Sequence, residues 1–156
     1  MKRWMMAIGL AMSAMTWAAM AQDVTVVRSF AVNKGPGWKP GADLAGAAGP
    51  KHLAVLDEAG FVVQEKATGK VLQKMTPREF WNKVEPAGSF DPQKECNDPR
   101  ILYDPLSQRW FACEAGTGAA TKVYLAVSSS DDPTGSWKGV VVPMVPTDPG
   151  VKIGVD

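Results

Sequence analysis

Residues 98–137 constrain the fold of this chain most. Strand-like runs occur at 100–103, 109–113, 122–128 and 137–142. Turn chemistry separates each from the next: Asp104-Pro105 with Ser107, then Gly116 to Gly118, then Asp132-Pro133-Thr134-Gly135. Short strands punctuated in this way predict a four-stranded antiparallel meander and an all-β fold.

The faces of that meander narrow the choice. With Asp104 opposite Arg109, Leu102 and Phe111 share one face, while Ile101, Tyr103, Trp110 and Ala112 share the other. Val123, Leu125 and Val127 alternate with Tyr124 and Ala126 in the third run. A sheet with one wet face alternates apolar with polar; here both faces are apolar, so both are expected to be covered. A propeller blade, packed between two others, meets that demand better than a β-sandwich strand. The predicted class is all-β, with β-propeller-type four-stranded antiparallel blades that are incomplete in this chain.

Residues 1–21 read as a signal peptide. Lys2 and Arg3 precede a long apolar run, and Ala19-Met20-Ala21 is a small-x-small cleavage site, which predicts a mature start at Gln22. An uncleaved anchor is the alternative, and no later segment has transmembrane length. Cleavage removes two of the 17 basic residues and none of the 16 acidic ones. The remaining balance is nearly neutral and gives no electrostatic reason to expect nucleic acid or an anionic membrane as partner. Export predicts a periplasmic, secreted or cell-surface location.

Residues 22–50 read as an N-terminal strand (23–32) followed by a linker. The linker, 35–50, holds five Gly, three Pro and four Ala. Residues 51–156 are expected to hold the blades. Within them 51–56, 61–65 and 71–75 predict strands, and Thr76-Pro77-Arg78-Glu79 predicts a capping box opening a helical turn that packs Phe80 and Trp81. Residues 84–97 read as a connecting loop. Residues 151–155 read as the start of another strand, so the sequence is expected to be truncated; a final closing strand is the alternative.

Cys96 and Cys113 are candidates for a disulfide in an exported protein. In the register above Cys113 lies opposite Arg100, so a bridge requires the chain to fold back at Asn97-Asp98-Pro99. It would contribute roughly 3 kcal/mol. Two buried free thiols are the alternative.

Several motifs occur in a set order: Gly49-Pro50-Lys51-His52, Lys66-Ala67-Thr68-Gly69, Phe80-Trp81, Asp98-Pro99-Arg100 through Asp104, Arg109-Trp110, and Ala126-Val127-Ser128 with Asp132 through Trp137. This order resembles the N-terminal half of large exported bacterial β-propeller proteins of mostly unassigned function. Asp148 through Gly154 holds the place of a family motif but lacks its aromatic residue. Ser130 through Trp137 is also similar to the Asp-box turns of sialidase-like propellers, with too long an Asp-to-Gly spacing, and to turns of arabinanase-type propellers. The resemblance implies a binding or surface-interaction module, with an extracellular carbohydrate or protein as ligand. The alternative is a carbohydrate-active propeller enzyme.

Glycoside hydrolysis needs two carboxyl groups about 5–10 Å apart. Asp98, at a strand start, is the first candidate, with Asp148 or Asp156 as a second; ordinary turn capping competes for each. Glu114 is expected at a blade edge. His52, the only histidine, lacks a Cys/His cluster for zinc and a nucleophile elbow for a triad. Ser128-Ser129-Ser130 reads as a strand end, and Asp131-Asp132 as a solvated turn without a calcium-loop pattern. No cofactor or metal is expected.

Overall fold

The computed structural model describes residues 26, 29, 44–86, 96–116, 122–143 and 153–154. The expected signal peptide, the strand at 23–32 save Val26 and Ser29, and both Asp148 and Asp156 lie outside the described residues. No helix among the described residues is long and apolar enough to cross a membrane.

Two antiparallel meanders make up the fold. The first sheet runs β1 (Ala45–Ala48), β2 (His52–Asp57), β3 (Gly60–Glu65) and β4 (Val71–Met75), in that spatial order. A short helix, α1 (Pro77–Lys83), and a two-residue strand, β5 (Val84–Glu85), lead onward. The second sheet contains β6 (Cys96–Asp104), β7 (Arg109–Gly116), β8 (Lys122–Ser128) and β9 (Trp137–Pro143), with β5 added parallel to β9 at its outer edge.

Local chemistry explains the turns. Asp57 Oδ1 accepts from the backbone N–H groups of Ala59 (2.8 Å) and Gly60 (2.7 Å), closing the β2–β3 hairpin. Gly60 is required there, because a Cβ would lie 2.4 Å from the Met75 carbonyl oxygen. Between β6 and β7 the Asp104 carboxylate accepts from the N–H groups of Leu106 (2.9 Å) and Ser107 (3.0 Å), the self-capping expected of Asp before a turn. Thr76 and Glu79 form the capping box reciprocally: Glu79 N–H donates to Thr76 Oγ1 (3.2 Å), and Thr76 N–H donates to Glu79 Oε2 (2.7 Å).

The register of the second sheet follows the sequence expectation, with Asp104 opposite Arg109, Leu102 opposite Phe111 and Cys113 opposite Arg100. One face of it, carrying Ile101, Trp110, Ala112, Tyr124, Ala126 and Trp137, packs against Ala54, Leu56, Phe61, Val63 and Met75 of the first sheet. Phe80 and Trp81 of α1 complete this core. Phe61 and Phe80 have ring centroids 4.6 Å apart, and the Trp137 ring stands edge-on to both. Burial contributes roughly 1.5–3 kcal/mol per large side chain, and favourable ring geometry adds to it.

Several expectations are corrected. The end of the predicted linker, 45–48, is strand β1, whose Ala45 and Ala47 pack on the core where β1 meets β6. Propensity argues against a Gly/Ala strand; pairing with β2 overrides it. The predicted loop 84–97 contains β5 and the first residues of β6. At 151–155, the described Ile153 and Gly154 are not in a strand. The chain does not fold back at Asn97-Asp98-Pro99. A bulge interrupts the ladder there, and pairing resumes with Cys96 opposite Gly116. Cys113 is a free, buried thiol. Three ladder positions separate it from the partner of Cys96, roughly 10 Å at strand rise, beyond the reach of a disulfide.

Candidate functional site

Several motifs that are distant in the sequence, around Gly49, His52, Lys66, Trp110 and Asp132, meet beside the β8–β9 turn. The β8–β9 turn is held from several sides. Thr134 donates its backbone N–H (2.9 Å) and its hydroxyl (2.7 Å) to Asp132 Oδ1. Trp137 Nε1 donates to the Pro133 carbonyl at 3.0 Å, and Trp110 Nε1 to the Asp131 carbonyl at 2.9 Å. The corner before β2 packs against this turn. A Cβ on Gly49 would sit 2.6 Å from the Trp110 indole, so only glycine lets the corner approach. Lys66 Nζ donates to the Gly49 carbonyl at 3.1 Å. His52 Nε2 lies 3.9 Å from Asp132 Oδ1.

Electrostatics agree with a structural role. Burial works to raise the Asp132 pKa, but the Thr134 hydrogen bonds and the His52 and Lys51 charges outweigh it, leaving the carboxyl below its ordinary value. Asp104 is also held low, chiefly by hydrogen bonds from Ser107 and Leu106. Ser128 is buried, accepts from Trp110 N–H (2.8 Å) and donates to the Ser130 carbonyl (2.6 Å), so its hydroxyl ends the strand. Thus His52 and Asp132 tie the first sheet to the β8–β9 turn, and Ser128 ties β7 to the start of that turn.

Asp98 sits in the β6 bulge with φ 52°, a left-handed conformation uncommon outside glycine, and its carboxylate lies 3.8 Å from Arg100. Glu114 is not at an edge. It is fully buried between the sheets, where Trp81 Nε1 donates to its carboxylate. Its alternation with Trp110 and Ala112 was the available signal: all three share one face of β7. Among the described residues, no group of three His, Cys, Asp or Glu could hold a metal ion.

A further apolar feature lies on the other face of the second sheet. Phe111, Leu125 and Val127 are half-buried there, while Val140 and Val142 are exposed. Phe111, Leu125, Val127 and Val140 border a depression of about 430 Å³ that Lys138 and Ile153 also line.

Comparisons with family models, with curated proteins and with solved structures find no match. Fold and site define an all-β protein of two stacked antiparallel sheets, tied by a turn cluster and apolar on a further face.

Proposed function

We propose that this chain forms successive blades of an exported β-propeller that serves as a binding or surface-interaction module, with a carbohydrate or a protein outside the cytoplasm as its ligand. One observation carries the reading: two consecutive four-stranded meanders stack face to face, and the second keeps an apolar face on its far side. Blades stack in this manner around an axis, each covering one face of the next. The engagement of the carboxylates favours binding over hydrolysis. Asp57, Asp104 and Asp132 organise turns, and Glu114 is sealed in the core.

The second reading, a carbohydrate-active propeller enzyme, is favoured by the left-handed backbone of Asp98 beside Arg100, since strain of this kind gathers at functional sites. The exported protein is to be tested against immobilised glycans and surface proteins for saturable binding, and against fluorogenic glycosides, sialosides included, for turnover. Saturable binding without turnover is expected. Turnover abolished by Asp98→Asn would replace the binding reading with the enzyme.

A further inference from the structure

The first sheet ends in an open edge. β4 has one hydrogen-bonded neighbour, β3, among the described residues. An edge strand carries alternate N–H and C=O groups that point away from its neighbour and can pair with another chain. The start of β4 is open to solvent, with Val71 50% and Leu72 43% exposed. The ladder shows which face they occupy. Val71 is opposite Gln64 and Lys74 opposite Val62, whereas Gln73 and Met75 are opposite Val63 and Phe61 of the core. The register shift between Val63 and Gln64 leaves Leu72 as an extra residue. Alternation from Gln73 turns it to the side of Val71. Val71, Leu72 and Lys74 therefore share the face of β4 that looks away from the core.

Charge narrows the partner. Lys70 and Lys74 are exposed, and neither has an ion-pair partner among the described residues. The acidic residues that flank them in sequence are engaged. Glu65 accepts from the Thr68 hydroxyl, and Glu79 accepts from Thr76 N–H in the α1 cap. Lysine and a bulge on an edge discourage pairing with a copy of the same strand. The same lysines favour an acidic strand opposite them.

We propose that the β4 edge is a strand-addition site for an extended acidic segment of a partner protein, with apolar side chains laid beside Val71 and Leu72 and a carboxylate set opposite Lys74. Backbone hydrogen bonds to β4 supply affinity, and the alternate side chains supply the choice of partner. The site needs only the open edge, and stands whether or not the sheets are propeller blades.

Fluorescence anisotropy with the full chain tests it. The probe is a labelled peptide, Glu-Thr-Val-Thr-Val-Thr-Glu, blocked at both ends, one face of which presents glutamate and valine. Saturable binding is expected. Lys74→Glu is expected to weaken it about tenfold, with the far-ultraviolet circular dichroism of the sheets retained. Two further copies of the peptide are N-methylated on opposite sets of alternate amides. One is expected to bind as the parent does and the other not to bind, because one set of donors faces β4. Failure of the parent peptide to bind overturns the site. So does equal binding of both methylated copies, which shows attraction to charge without strand pairing. Parent binding that Lys74→Glu leaves unchanged also overturns it, because the peptide then sits elsewhere.

Discussion

Trp110→Ala is expected to cost about 4 kcal/mol, within the range of roughly 3–5 for truncating a buried tryptophan. The indole is 0% exposed and packs, tilted, against Tyr103 at a centroid distance of 5.0 Å. Its Nε1 donates to the Asp131 carbonyl, so truncation also releases the β8–β9 turn, at about 1 kcal/mol of that total. Trp110→Phe keeps most of the ring and loses the hydrogen bond, and is expected to cost about 1–2 kcal/mol. Gly49 gives a sharper check. In the wild type Gly49→Ala drives a methyl into the indole and is expected to cost about 1–3 kcal/mol. In the Trp110→Ala background the clash is gone, and the same change is expected to cost under about 0.5 kcal/mol, a coupling typical of contacting residues. Urea melts followed by far-ultraviolet circular dichroism measure all four proteins. A loss below about 1 kcal/mol for Trp110→Ala, or an equal cost of Gly49→Ala in both backgrounds, refutes the reasoning.

Thr76→Ala is expected to lower stability by about 0.5–2 kcal/mol through loss of the α1 cap, read in the same melts. Trp81→Phe keeps a ring in the aromatic cluster but removes the donor to buried Glu114; a loss of about 1–3 kcal/mol is expected. Glu79, Asp104 and Asp132 all have carboxyl pKa values depressed by folding. Their contribution is present above the unfolded values, about 4, and is lost as pH falls through the lower folded values. The melting temperature is therefore expected to fall on acidification below about pH 4, less steeply in Asp104→Asn; a melting temperature that rises on acidification contradicts this.

The parts of this fold that were legible are those set by neighbours in sequence. Asp104 caps its own turn, Thr76 and Glu79 cap their own helix, and the alternation in β7 and β8 fixes their register. What escaped depends on distant partners. β1 is built of Gly and Ala, and only the ladder with β2 makes it a strand. β5 has two residues, and its parallel partner begins at Trp137. The pairing of His52 with Asp132 joins residues from different sheets, which no spacing rule anticipates. Glu114 shares the parity of Trp110 and so faces the core rather than a blade edge. Its Trp81 donor lies on a helix remote in sequence, so the compensation for burying the carboxylate was hidden.

A crystal structure of the protein tests the central claim most directly, through the far face of β6–β9. The account predicts that Phe111, Leu125, Val127 and Val140 are covered there by a further four-stranded antiparallel sheet, as Trp110, Tyr124 and Trp137 are covered by β1–β4 on the near face. The same face standing bare in solvent, with the two sheets closed as a self-contained pair, would contradict it.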